Sequence, residues 1–219
     1  MAGLAGSLHK VLDALGLGAS GAVAASLDTL WGSILSTYTT PAKAGAAVEG
    51  LRDAGLIEPA ELAQADPSEV AEATGLPAES SALAPLRRVA GWLAGRGGFD
   101  RLDTVTTEGL RDELRSLRGV GPNLAEAILL GGLGRAAYPV DRATYRVLVR
   151  HAWIEPEAGV EEVRAEILDA AERDPGTLVA LADAMDRVGS KWCKPSVAKC
   201  DRCPLAPLLP EGGPRGEAE

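Results

Sequence analysis

The chain has no uninterrupted apolar run long enough to span a bilayer, which takes about 20 residues, so a membrane-crossing helix is excluded. It has no basic leader before its first apolar residues, and Asp13 stands among them in MAGLAGSLHKVLDALGLG, so no secretory signal is expected. It has only three cysteines, all between Cys193 and Cys203, and an odd number cannot close a disulfide set. Their crowding points instead to a metal site in a reducing cytoplasm. An excess of positive charge is also missing: 22 Lys and Arg stand against 31 Asp and Glu, a net charge of −9. That balance argues against broad nucleic-acid binding but leaves room for a local basic surface, because phosphate contacts depend on where the charges lie. There is no internal repeat and no alternating run that would demand a sheet.

What is present is helical. The length of 219 residues, with 46% hydrophobic, suits one domain or two small lobes and can bury a core without disulfide staples. Apolar residues recur at helical spacing: Val23, Leu27, Leu30 and Ile34, then Leu83, Leu86, Ala90 and Leu93. The pattern returns at Leu110, Leu114 and Leu117, at Val163, Ile167 and Ala170, and at Leu178, Leu181, Met185 and Val188. Breaks are expected at Thr39-Thr40-Pro41, Ala65-Asp66-Pro67, Gly95 to Gly98, Gly131-Gly132 and Asp174-Pro175, where Gly or Pro stops one helix or a polar residue caps the next. The expectation is an all-α chain of about ten short helices. Residues 210–219 hold almost nothing apolar and are expected to form a disordered tail.

The segment from Leu110 to Leu130 reads as helix, turn, helix. Arg118-Gly119-Val120-Gly121 is the turn: the glycines take backbone angles closed to other residues, Val120 plugs the joint, and Pro122 opens the second helix. Unpaired amides at such a helix start can hold a phosphate oxygen without any lysine, so an acidic protein can still grip one strand locally. An ordinary helical hairpin would use the same glycines. After Gly131-Gly-Leu-Gly134 comes Tyr138-Pro-Val-Asp-Arg-Ala-Thr-Tyr-Arg-Val147, which sets Asp141 after an apolar pair and before a new helix. An aspartate there is also a favoured helix cap, and the two roles can coexist.

With the hairpin and this aspartate together, the sequence resembles the endonuclease III branch of the helix-hairpin-helix DNA glycosylases. The resemblance runs over roughly residues 22 to 209 and includes Leu30-Trp-Gly-Ser-Ile-Leu-Ser36 as the helix ahead of a DNA-facing loop. It implies a two-lobed all-α fold with a C-terminal cysteine loop. Residues 22–134 would form a six-helix lobe, and residues 1–21 would join residues 135–209 in a second, with DNA across the cleft. It also implies that Asp141 is the catalytic carboxylate, stabilising the sugar cation as the glycosidic bond breaks or orienting the attacking water. Members that also cut the backbone carry a lysine where this chain has Asn123, and no lysine occurs between residues 44 and 190. An amide nitrogen cannot form a Schiff base, so a monofunctional enzyme is implied, with Asn123 left to hydrogen-bond a flipped base, a phosphate or solvent. Tyr38 stands where the family commonly has a glutamine that fills the gap left by an extruded base. It would fill that gap by stacking, or be a half-buried ring with a wet hydroxyl.

Cys193-x6-Cys200-x2-Cys203 matches the first three cysteines of the family's iron–sulfur loop, and the fourth position is Leu209. The resemblance implies a [4Fe-4S] cluster with three cysteine ligands and one open or non-cysteine corner. Zinc, or a loop that has lost its metal, is the alternative. Nothing in the sequence places either histidine, His9 or His151, beside the cysteines, and His151 reads as a helix-end residue. Residues 187–203 carry five basic residues against one acidic one, which makes Lys191 and Lys194 candidate phosphate contacts. Arg142, Arg146 and Arg150 recur at four-residue spacing and would extend that strip, while Glu155 to Asp174 is expected to be an acidic helical region that faces away from DNA. The implied partner is double-stranded DNA with a damaged or mismatched base, bound by a monomer without a membrane. A non-catalytic DNA-binding relative and a helical scaffold with no DNA role are the other readings.

Overall fold

The computed structural model describes residues 4–18, 21 and 24–216. Val23 in the first apolar stripe, the expected lobe boundary at residue 22 and the tail residues 217–219 lie outside them. The chain divides into two compact units, Val23–Arg135, and Met1–Ala22 with Ala136–Glu219. In order the helices are α1 (Leu4–Ala14), α2 (Leu27–Ser36), α3 (Pro41–Asp53), α4 (Pro59–Gln64), α5 (Pro67–Thr74), α6 (Leu83–Arg96), α7 (Thr107–Ser116), α8 (Pro122–Ala127), α9 (Arg142–Arg150), α10 (Val160–Ala170) and α11 (Pro175–Lys191). Among the described residues there is no strand, only an isolated bridge between Cys193 and Ala198. None of their helices is long and apolar enough to cross a membrane.

Local sequence explains most helix starts. Ser26 and Thr29 form a reciprocal capping box on α2, Thr40 caps α3 ahead of Pro41, Asp66 caps α5 ahead of Pro67, and Asp174 caps α11 ahead of Pro175. In the unit of residues 23–135, α2 is the central element. Its Leu30, Trp31, Ile34 and Leu35 are fully buried, it packs against α3, α6 and α8, and the Trp31 indole donates to the Ile57 carbonyl at 2.8 Å. In the other unit α1 packs on α10 and α11, and α9 packs on α11.

Three expectations differ from the structure. Gly131-Gly132 does not break the chain, because α8 runs on as a π-helix, Ile128–Gly132. A Cβ at Gly132 would come within 2.9 Å of the Leu30 side chain and 3.0 Å of its Cα, so this glycine serves close approach to α2 rather than a turn. Only Val160–Ala170 is helical within the acidic region from Glu155 to Asp174. The segment expected to be disordered is described as far as Gly216: the Arg215 amide donates to the Arg150 carbonyl at 3.0 Å, and its guanidinium pairs with Glu155.

Candidate functional site

The hairpin joins α7 to α8. Of the two turn glycines only Gly119 takes the expected left-handed angle: its φ is +88°, which costs a residue with a Cβ about 1–2 kcal/mol, and an added Cβ would meet the Arg88 guanidinium at 3.0 Å, whereas Gly121 has φ −77°, an angle any residue adopts. That guanidinium donates to the Arg118 carbonyl, which fixes the turn from α6. Val120 is buried in the joint, whereas Arg118, Gly119 and Gly121 are exposed. Among the described residues no side chain caps α8, and Asn123 in its first turn is half-buried.

Behind the turn lies a network that the sequence pattern did not reveal. Glu126 on α8 is fully buried and accepts from Arg111 Nε at 2.7 Å and from Arg115 Nη2 at 3.3 Å, both on α7. The two helices of the hairpin are thus tied by buried charge. Beside them the Trp92 indole donates to Glu113 at 3.0 Å and Arg96 pairs with the same carboxylate. The indole first, and Arg96 with it, outweighs burial and holds that carboxyl below the usual carboxylate range.

Tyr38 follows α2 in the turn before α3. Its ring is 38% exposed, burial raises its phenol above the ordinary value, and it borders a hollow of about 680 Å³ with Lys43, Thr74, Glu79 and Ser80.

In the other unit Asp141 is the N-cap of α9. Its Oδ1 accepts from the Thr144 amide at 2.7 Å, the carboxylate is exposed, and no cation pairs with it among the described residues. The capping role weighed from the sequence is therefore present. The segment ahead of it is held firmly: the Tyr138 ring is fully buried, and the Arg164 guanidinium of α10 donates to the Tyr138 carbonyl at 3.0 Å. Burial above all, with the charges of Asp141 and Asp183, pushes the Tyr138 phenol far up. Asp141 and Arg142 open onto a hollow of about 470 Å³ that is also lined by Tyr145, Val149, Pro156 and Val160.

Arg146 and Arg150 depart from the expected basic strip. Arg146 is buried, with Nε donating to the Cys193 carbonyl at 2.7 Å. Arg150 donates to the Lys194 carbonyl at 2.8 Å, to the Pro195 carbonyl at 3.1 Å and to Cys193 Sγ at 3.4 Å. Four-residue spacing puts both on one helix face, but that face meets the cysteine loop. Of the expected phosphate contacts, Arg142, Lys191 and Lys194 are exposed.

The three cysteines are brought together. Cys193, Cys200 and Cys203 line one cavity, and Leu209, at the position lacking a fourth cysteine, lines it too. Burial first, and the neighbouring Cys193 and Cys200, raise the Cys203 thiol. His151 lines the same cavity. It is the C-cap of α9, as its helix-end reading expected, yet it is only 6% exposed and stacks at 4.6 Å on Trp153. Its Nδ1 is 2.8 Å from the Val147 carbonyl, Nε2 has no hydrogen-bond partner, and burial lowers its pKa. Its place beside the loop was not readable from the sequence, although it directly follows Arg150. Among the described residues no three His, Cys, Asp or Glu side chains converge closely enough to hold a single metal ion. Cys193, Cys200 and Cys203 are the residues that could hold a multi-iron group, which seats each ligand on a separate metal. The cavity itself is about 10 Å³, so seating such a group requires the loop of Cys200 and Cys203 to spread.

No family model matches the chain. It is 27% identical to Protein ROS1C of Oryza sativa subsp. japonica over 119 residues, 48% of this chain and 6% of that protein. It is 31% identical over 96 residues, 44% of this chain, to a protein of Methanocaldococcus jannaschii assigned as a DNA repair glycosylase, of which it spans 43%. Among solved structures, a non-covalent endonuclease III–DNA complex aligns with a TM-score of 0.68 at 20% identity, over 94% of this chain and 93% of that one. A thermostable thymine-DNA glycosylase aligns with a TM-score of 0.61 at 18% identity, over 92% and 93%. The chain thus has the all-helical fold of the endonuclease III-like helix-hairpin-helix DNA glycosylases.

Proposed function

We propose that this protein is a base-excision DNA glycosylase that hydrolyses the N-glycosidic bond of a damaged or mismatched base in duplex DNA. The observation that carries the proposal is Asp141: an exposed carboxylate with no paired cation among the described residues, oriented by the Thr144 amide on a segment that Arg164 holds in place. A fixed negative charge beside a sugar ring stabilises the cation that develops as the base departs, and a carboxylate can also orient the attacking water. Phosphate contacts belong to the hairpin residues Arg118, Gly119, Val120 and Gly121 through their backbone, and to Arg142, Lys191 and Lys194 through their charge. Tyr38 stacks in the gap that a flipped base leaves. The fold likeness and the glycosylase assignment of the archaeal relative support the reading.

Asn123 makes the reaction monofunctional, because its amide nitrogen has no free lone pair to attack the sugar carbon. Cys193, Cys200 and Cys203 hold a [4Fe-4S] cluster. When bound, that cluster fastens the loop through metal–thiolate bonds.

The test is a panel of duplexes carrying oxidised, alkylated, deaminated and mismatched bases, developed with hot alkali to reveal abasic sites. Release from at least one duplex is expected, with no borohydride-trapped adduct on abasic DNA, and Asn123→Lys should gain trapping. Binding without release from any duplex would replace this reading by that of a non-catalytic relative.

A further inference from the structure

We propose that His151 is the fourth ligand of the cluster held by Cys193, Cys200 and Cys203, bonding through Nε2 at the corner where Leu209 offers no donor. This rests on the reading of the three cysteines as cluster ligands. The histidine and the three thiols line one cavity, together with Leu209.

The hydrogen bonding of the ring points the same way. A carbonyl only accepts, so the contact of 2.8 Å between Nδ1 and the Val147 carbonyl places the proton on Nδ1. In that tautomer Nε2 carries a lone pair. It is buried, and no donor is in hydrogen-bonding geometry with it. The other polar group acting on the ring, the Leu205 carbonyl, is also an acceptor and cannot satisfy that lone pair. A buried acceptor without a donor costs about 1–3 kcal/mol, and a metal ion is one way to satisfy it. An imidazole whose Nδ1–H is bound to a main-chain carbonyl is also in the form metal-binding histidines adopt, with tautomer and ring orientation fixed from behind.

Leu209 therefore does not mark an abandoned site, because the donor missing from the loop is supplied by the end of α9. The same helix holds the loop through Arg146 and Arg150, so α9 would contribute both the loop's main-chain anchors and the last ligand. A neutral imidazole in place of a thiolate removes one negative charge from the cluster, and less negative clusters are easier to reduce.

The experiment uses the full chain, reconstituted anaerobically with iron and sulfide and labelled with 15N-histidine. Only His9 and His151 can carry the label. After chemical reduction, pulsed paramagnetic resonance should show hyperfine coupling between the cluster and a histidine nitrogen, unchanged in His9→Gln. Leu209→Cys should keep the cluster, lose the nitrogen coupling and move the reduction potential lower, since a thiolate displaces the imidazole. His151→Ala should lose the coupling as well; Leu209→Cys gives the answer even where that variant fails to fold. Iron and sulfide bound at about four each per chain without nitrogen coupling in the wild type would overturn the assignment of His151 while leaving the cysteine ligands in place. A chain that takes up neither iron nor sulfide would overturn the cysteine reading itself, and this proposal with it.

Discussion

The hairpin and the cysteine loop are both candidate functional surfaces, and they are held in opposite ways. The hairpin is tied from within: Arg111 and Arg115 of α7 converge on a fully buried Glu126 of α8, and Val120 fills the joint between them. The loop has no such centre. It runs from Cys193 through two 3₁₀ turns, Cys200–Arg202 and Ala206–Leu208, and it is held from outside where Arg146 and Arg150 of α9 donate to the Cys193, Lys194 and Pro195 carbonyls. A site built on paired buried charge keeps its shape alone. One built on borrowed hydrogen bonds and inward-facing thiols depends on its neighbours.

The sharpest way to break the contrast is at Glu126. Glu126→Ala removes the buried carboxylate that Arg111 and Arg115 share and should destabilise the unit of residues 23–135 by about 3–5 kcal/mol. Chemical denaturation should show a large fall in midpoint, and a loss below about 1 kcal/mol would mean that the hairpin is not held by this network. Arg146→Met should do less, about 1–3 kcal/mol, because it leaves the Cys193 carbonyl without its donor. The effect should be local: trypsin should cut at Lys191 or Lys199 several-fold faster under native conditions, while cutting in the hairpin is unchanged. Equal cutting of both proteins at those lysines would show that the loop does not depend on α9.

The smallest effect concerns pH. The Glu113 carboxyl is held below its ordinary value, so the unfolded chain binds its proton more readily than the folded one. The contribution of the tie to Trp92 and Arg96 is therefore complete above the ordinary carboxylate range and is lost as pH falls through the lowered folded value. Glu113→Gln should flatten the acid limb of the melting-temperature profile by slightly lowering its neutral plateau, with the two proteins converging at low pH. A limb of unchanged slope would remove this carboxylate from the acid response.

The legible features were those written in short stretches of chain. Thr40-Pro41, Asp66-Pro67 and Asp174-Pro175 begin helices because a cap and a proline act within one turn. Gly119 is legible for the same reason, since a positive φ is a property of one residue. Gly131-Gly132 misled because glycine also permits close packing, and the partner, Leu30, is about a hundred residues away along the chain. The arginines of α9 show the same limit: periodicity gave their shared face but not what that face meets. The burial of Glu126 and the place of His151 beside the cysteines were invisible because Arg111, Arg115 and the cysteine loop come from other segments, and nothing local distinguishes a buried histidine or glutamate from an exposed one.

Asp141 is proposed to act by its charge, which single-turnover base release by wild type and Asp141→Asn on a duplex that scores in the panel would reveal. The asparagine keeps an oxygen for the Thr144 amide while removing the negative charge. The expected result is unchanged or tighter binding to lesion DNA, because a charge that repels phosphates has gone, with base release slower by about two to three powers of ten. Equal rates for the two proteins would contradict the account and leave Asp141 only as the cap of α9.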